Sequence, residues 1–306
     1  MSWLSSDGVG FSPQLDTFTL AEGVRFGMIG LNPNVLKNIV DTACTKIIPK
    51  QDLSDVERQL IYEMLHNKPK DAPVLFFDEN DEPCITVDSM EALNDHDLLH
   101  DRVMNPYLRQ FCMHVTRAKG KVHVFKTDVY SRYKKKGYKA VQLETRPRHP
   151  FDPHFIPIFA HRAVFFPIQL TESHWALVVF EVQAKALYYL DSLSGERENG
   201  LAILQTIQQF LKEEYQNQFN SPYPGDLKLV IRTDIPPSPK QQDSGLYMAM
   251  MAFSIMIFYS LVPYGTFDAS IFHFTSKDLP RIRDRMVLDL FYATTTQSKS
   301  KATTIV

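Results

Sequence analysis

Three runs in the second half of the chain, RAVFFPIQL (162–170), HWALVVFEV (174–182) and ALYYLDS (186–192), are short apolar blocks bounded by polar turns, and they predict three strands. The middle run is apolar nearly throughout, as expected of a strand covered on both faces. LKLVIRTDI (227–235) predicts a further strand. Between the third and fourth, ENGLAILQTIQQFLKEEY spaces Leu201, Leu204, Ile207 and Leu211 along one face of an amphipathic helix. The run that follows Ser244 is apolar all round, which predicts a buried helix beginning near Leu246 with Ser244 as its N-cap. A last helix over SKDLPRIRDRMVLDLFY has Asp278 near its start.

The first half is more helical. NVLKNIVDTACTKI has helical apolar spacing, and Ser54-Asp55-Val56-Glu57 is a capping box that opens a helix over VERQLIYEML. NKPKDAP reads as a linker and VLFF as a short strand or packing anchor. From Met90 to Cys112 the apolar residues Leu93, Leu98, Leu99, Val103, Leu108 and Phe111 predict helix despite Pro106. KVHVFKTDVYSRYKKKGYKAV joins a β-rich start to a helical middle. Mixed strands and helices predict an α+β fold with helices around a central sheet. Residues 1–84 read as an N-terminal helical region or extension, and 293–306 as a disordered tail.

Composition changes this picture little. The 306 residues are 44% hydrophobic and 22% charged, ordinary for a globular chain, and the formal net charge of −2 does not indicate a nucleic-acid partner. Charge is uneven, because Arg117 to Arg162 holds twelve Lys or Arg against Asp128, Glu144 and Asp152. That stretch is either a solvated face or a surface for an acidic partner. Cys44, Cys84 and Cys112 are widely spaced with no CxxC, which suggests a reducing compartment and no disulfide framework or zinc site. His149, His154 and His161 lack a fourth ligand and helical spacing, so no metal or other cofactor is expected. The N-terminus lacks a signal-peptide pattern, and Leu246 to Val262 is short and polar-dotted for a membrane span. The expectation is an intracellular protein, nuclear or cytoplasmic, with no membrane partner. The terminal TTIV matches a pattern captured by strand addition, yet such endings are common in plain tails.

Candidate chemistry lies where the predicted elements end. His174 begins one strand, Asp191 ends the next, and Ser244 follows Gln241 and Gln242 at a helix start. Singly each has an ordinary explanation: a surface or core histidine, an Asp-Ser turn, a helix cap. Together they form a design for acyl transfer. Adjacent strands can set Asp191 to orient His174, a helix N-terminus favours an anion at residue 244, and a glutamine can donate to an oxyanion.

These residues carry a resemblance. PIQLTESHWALVVFEVQAKALYYLDSLSG is similar to the ubiquitin-like-protein proteases of the sentrin/SUMO-specific cysteine peptidase family, in which His-Trp follows a Pro-Ile strand and Asp-Ser-Leu follows the next. ITVDSMEALNDHDLLHDRVMNPYL resembles the segment in which that family has Trp-Leu-Asn-Asp before a helix. VHVFKTDVYSRYKKKGYKAV resembles its Phe/Tyr-rich helix and Lys-Gly-Tyr turn, and FDASIFHFTSKDLPRIRDRM its closing helices. The likeness runs in order over residues 85–292 and implies a protease domain there, with a papain-like cysteine-proteinase fold of the ubiquitin-like protease type. It implies His174 as general base, Asp191 as its orienting carboxylate, and Gln241 or Gln242 as oxyanion donor. Trp175, with Asn94 and Asp95 near the entrance, would receive a Gly-Gly tail. The implied partner is a ubiquitin-like modifier (SUMO, NEDD8 or ubiquitin) and its conjugates.

The pattern breaks at the nucleophile. Where the family has Asp-Cys-Gly the chain reads Asp243-Ser244-Gly245, and no other cysteine can substitute by position. Gln241 precedes Ser244 by three positions, a shorter spacing than the family uses, and Ala92 stands at the family's first tunnel tryptophan. A designed Cys-to-Ser exchange and natural divergence both explain Ser244; the shortened loop and Ala92 favour divergence. A serine hydroxyl is a weaker nucleophile than a thiolate and needs a tightly placed base. Two functions follow: a Gly-Gly-directed peptidase with little or no activity as written, or a pseudoprotease that binds the modifier without cutting.

Overall fold

In the computed structural model, the described residues are 53–67, 69–71, 73–76, 83–94, 98–112, 116, 118, 120–147, 155–193, 197–262 and 265–290. The predicted helix over 34–47, the tail 293–306, Asp95, His149 and His154 lie outside them. Helix α1 (Asp55–His66) starts at Ser54, whose hydroxyl accepts from Glu57 N while the Glu57 carboxylate accepts from Ser54 N, a complete capping box. A hairpin of β1 (Pro73–Phe76) and β2 (Pro83–Thr86) leads into α2 (Val87–Asn94).

The single helix expected from 90 to 112 is divided. Helix α3 (Asp101–Pro106) follows a break after α2, and the chain then widens into a π-turn, Tyr107–Cys112. Pro106 lacks the N–H an α-helix needs at that position, so a locally widened ladder follows it. β3 (Val122–Val124) and α4 (Val129–Lys136) come next, and α4 ends on Gly137 at φ 71°, a conformation glycine adopts freely.

The predicted strands are β4 (Ala163–Thr171), β5 (His174–Glu181), β6 (Ala186–Leu190) and, after helix α5 (Arg197–Phe219), β7 (Lys228–Arg232). The sheet order is β3-β4-β5-β6-β7, with an antiparallel centre and a parallel strand at each edge. β5 is central, and its alternation feeds two cores. Trp175, Leu177 and Val179 join a cluster with helix α6 (Ser244–Leu261) and with α7 (279–290). Ala176, Val178 and Phe180 join a second cluster with α4 and α5. Leu53, Ile61 and Leu65 at α1 pack into the first of these clusters.

Helix α6 is long and apolar enough to cross a membrane, but 94% of its most apolar stretch is buried inside the protein. Its C-terminal carbonyls are met by cations: Lys121 Nζ donates to Ser260 O at 2.6 Å, and Arg162 donates to Tyr259 O at 3.0 Å and to Val262 O. Arg132 pairs with Asp128 and Glu144, and Arg146 with Glu214. Part of the basic stretch is therefore internal scaffolding, while Lys134, Lys135, Lys136 and Lys139 remain exposed.

The predicted face of α5 is rotated. Leu201 is 42% exposed, and the buried stripe is Ile203, Leu204, Ile207, Phe210 and Leu211. The wider stripe of a helix lying on a sheet, rather than an i, i+3 row alone, selects those positions. Leu204→Ala should therefore cost about 2–5 kcal/mol, and Leu201→Ala no more than about 0.5 kcal/mol. Urea unfolding of the two variants checks the difference.

Candidate active site

The site forms where β5 begins and β6 ends. His174 and Asp191 come from neighbouring antiparallel strands, so strand pairing alone brings them together. His174 Nε2 lies 2.9 Å from Asp191 Oδ1, with side-chain exposures of 17% and 3%. Two further donors reach the carboxylate: Leu193 N at 3.0 Å to Oδ1 and the Tyr189 hydroxyl at 3.1 Å to Oδ2. Burial works against the Asp191 charge, but the imidazole, the Leu193 N–H and the Tyr189 hydroxyl outweigh it and hold the carboxyl below its ordinary value. An ionised Asp191 only accepts, so Nε2 carries the proton in this bond.

Tyr189 and Gly200 are the parts of this arrangement that the sequence reading missed. Tyr189 shares a strand face with Asp191 two residues on, a signal available from period 2. Burial, and then the adjacent carboxylate, push its hydroxyl far above the ordinary value, so it stays a donor. Gly200 gives its ring room, because a Cβ there would sit 2.8 Å from Tyr189 Cδ1.

Helix α6 approaches the same strand end from the other face of the sheet. Ser244 is not its N-cap: the helix begins at Ser244 itself, after a 3₁₀ turn at Gln241–Asp243, and Asp243 occupies the cap position without a side-chain cap bond. The Ser244 hydroxyl accepts from Trp175 N at 3.0 Å and has two carbonyls for its single proton, Gln241 O at 2.7 Å and Ser173 O at 3.0 Å. Its N–H also bonds back to Gln241 O. Ser244 is fully buried. Neither Ser244 nor His174 bonds the other. The hydroxyl is a structural link between the helix start and β5, and among the described residues no side-chain base bonds it.

The remaining candidates fall around this centre. Trp175 is buried, and its Nε1 has no hydrogen-bond partner among the described residues. A Cβ on Gly245 would lie 3.1 Å from Trp175 Cδ1 and 3.0 Å from Leu99 Cδ1, so the glycine lets indole and leucine close over the helix start. Gln241 is exposed, with Nε2 at 3.4 Å from Thr171 Oγ1, and Gln242 is exposed on the same turn. Asn94 ends α2.

Residues 97–296 match the Ulp1 protease family, C-terminal catalytic domain. Sentrin-specific protease 2 of Homo sapiens is 29% identical over 219 residues, 68% of this chain and 32% of that protein. Ubiquitin-like-specific protease 1 of Saccharomyces cerevisiae is 26% identical over 200 residues, 65% of this chain and 28% of that protein. The chain thus matches about a third of the length of these curated relatives. In fold it is similar to the C-terminal Ulp1 protease domain solved in complex with Smt3, the yeast orthologue of SUMO. The TM-score is 0.61 at 21% identity, covering 80% of this chain and 97% of that one.

Asp191→Asn removes a charged acceptor of three donors and should destabilise the protein by about 1–3 kcal/mol at neutral pH. A depressed folded-state pKa contributes stability that is present above the unfolded value of about 3.9 and is lost as pH falls through the folded value. The gap between wild type and variant should therefore close only below about pH 4. Urea titrations across that range measure it.

Proposed function

The chain belongs to the Ulp1 protease family, and from that premise we propose that it recognises a SUMO-type ubiquitin-like modifier with little or no peptidase activity of its own. In this reading the modifier's Gly-Gly tail runs past Trp175, Asn94, Asp95 and Gln242 toward residue 244. His174 is the retained general base, Asp191 its orienting carboxylate and Gln241 the oxyanion donor. The observation that carries the reading is the engagement of the Ser244 hydroxyl by Trp175 N, Ser173 O and Gln241 O rather than by His174.

A serine must lose its proton to a base as it attacks, whereas a thiolate is nucleophilic before substrate arrives. A hydroxyl whose proton points at backbone carbonyls has no such base. Losing a working nucleophile costs on the order of 10^6 in rate in a hydrolase. The partner class follows from the relatives: one is named a sentrin-specific protease, and the similar domain was solved with Smt3. The competing reading is a working peptidase, and the observation in its favour is the intact His174–Asp191 pair at 2.9 Å.

Two measurements separate them. Wild-type chain titrated with SUMO, NEDD8 and ubiquitin should bind SUMO and leave fluorogenic conjugates of all three uncut. Ser244→Cys should introduce SUMO-conjugate hydrolysis that Ser244→Cys with His174→Ala lacks. Wild-type turnover at the level of Ser244→Cys would establish the peptidase reading. No binding to any of the three modifiers would end the recognition reading.

A further inference from the structure

Arg283 on α7 is buried to 1% exposure, far from the sheet end in sequence. A buried guanidinium is tolerated only where its charge and its donors are both answered. Here two answers come from two separate elements. Nη1 donates to Leu93 O at 3.3 Å, one residue before Asn94 at the end of α2. Nη2 pairs with Asp243 Oδ1 at 3.2 Å, one residue before Ser244. One side chain therefore ties the end of α2 to the start of α6.

The charge balance at that turn gives the contact a chemical consequence. The N-terminus of α6 favours an anion at residue 244, since its first N–H groups and dipole point there. Asp243 opposes this, because a carboxylate beside residue 244 repels any negative charge developing on it. Arg283 neutralises Asp243 from behind. Among the described residues, titratable groups in this region include His174 and Asp191 at the sheet end and Asp278, which acts with Asp243 on Tyr247. Tyr247, one turn into α6, is raised first by burial and then by Asp243.

We infer that Arg283 is a positioning residue of this site: it holds the Asp243–Ser244 turn against the end of α2 and cancels the carboxylate beside residue 244. The inference rests on the reading of residue 244 as the nucleophile position.

The test uses the full chain carrying Ser244→Cys as a reporter. Thiolate absorbance at about 240 nm, taken as the difference from the same chain with Ser244, is followed against pH, and thermal unfolding is measured in parallel. Adding Arg283→Gln should move the thiolate midpoint up by about one unit, a roughly tenfold smaller thiolate fraction at pH values below it. Adding Asp243→Asn should move the midpoint down. A purely structural Arg283 would lower the melting temperature of both variants without opposed midpoint shifts. Midpoints that stay put, or move in the same direction, in folded variants would overturn the inference. If Arg283→Gln does not fold, the Asp243→Asn arm decides, and an unchanged or raised midpoint there overturns it. The assay contains no modifier, so a failure of SUMO binding leaves its outcome readable.

Discussion

Strand β5 is buried along almost its whole length, with one set of side chains in each of two cores, and the positions of His174, Trp175 and Asp191 follow from that. A strand with both faces covered cannot slip by one residue, because the slip would carry Trp175, Leu177 and Val179 into the cluster built for Ala176, Val178 and Phe180. Its antiparallel pairing with β6 then sets where Asp191 emerges relative to His174. The imidazole and carboxylate meet because two hydrophobic cores fix the register of the strands that carry them. Tyr189 and the space left by Gly200 finish the carboxylate's surroundings from the same core.

The other half of the site comes from the opposite face. α6 is held along its length by apolar packing and at its C-terminus by Lys121 and Arg162. At its N-terminus it is joined to β5 by the Ser244 hydroxyl and to α7 by Asp243 and Arg283. A group at residue 244 is thereby presented where backbone N–H groups favour negative charge. Ser244 uses its hydroxyl to close the junction between helix and strand. The His174–Asp191 pair and the Ser244 link are thus held in one structure by packing from both faces of the sheet.

Much of this was legible in the sequence. The strands β4 to β7 follow from short apolar runs, and the double burial of β5 from its unbroken apolar character. The proximity of His174 and Asp191 follows from their places at the ends of consecutive strands. What was not legible depends on three-dimensional context. Leu201 and Leu204 look equivalent by spacing, and only the sheet beneath α5 distinguishes them. Ser244 has the residue type of a cap, yet a 3₁₀ turn before it makes it the first helical residue and turns its hydroxyl to β5. Arg283 is not singled out by any pattern in the sequence, because its partners at Leu93 and Asp243 lie far away along the chain.

The central claim is that the His174–Asp191 pair stands complete while the residue 244 hydroxyl belongs to the backbone. Nitrogen-detected NMR of the His174 imidazole, in wild type and in Ser244→Ala, tests it most directly. The account predicts a ring that carries a proton at Nε2, toward Asp191, with the same proton placement and chemical shifts in both proteins. A Ser244→Ala change that shifts the Nδ1 resonance as the loss of a hydrogen bond does would contradict it, because the serine would then be bonded to the base.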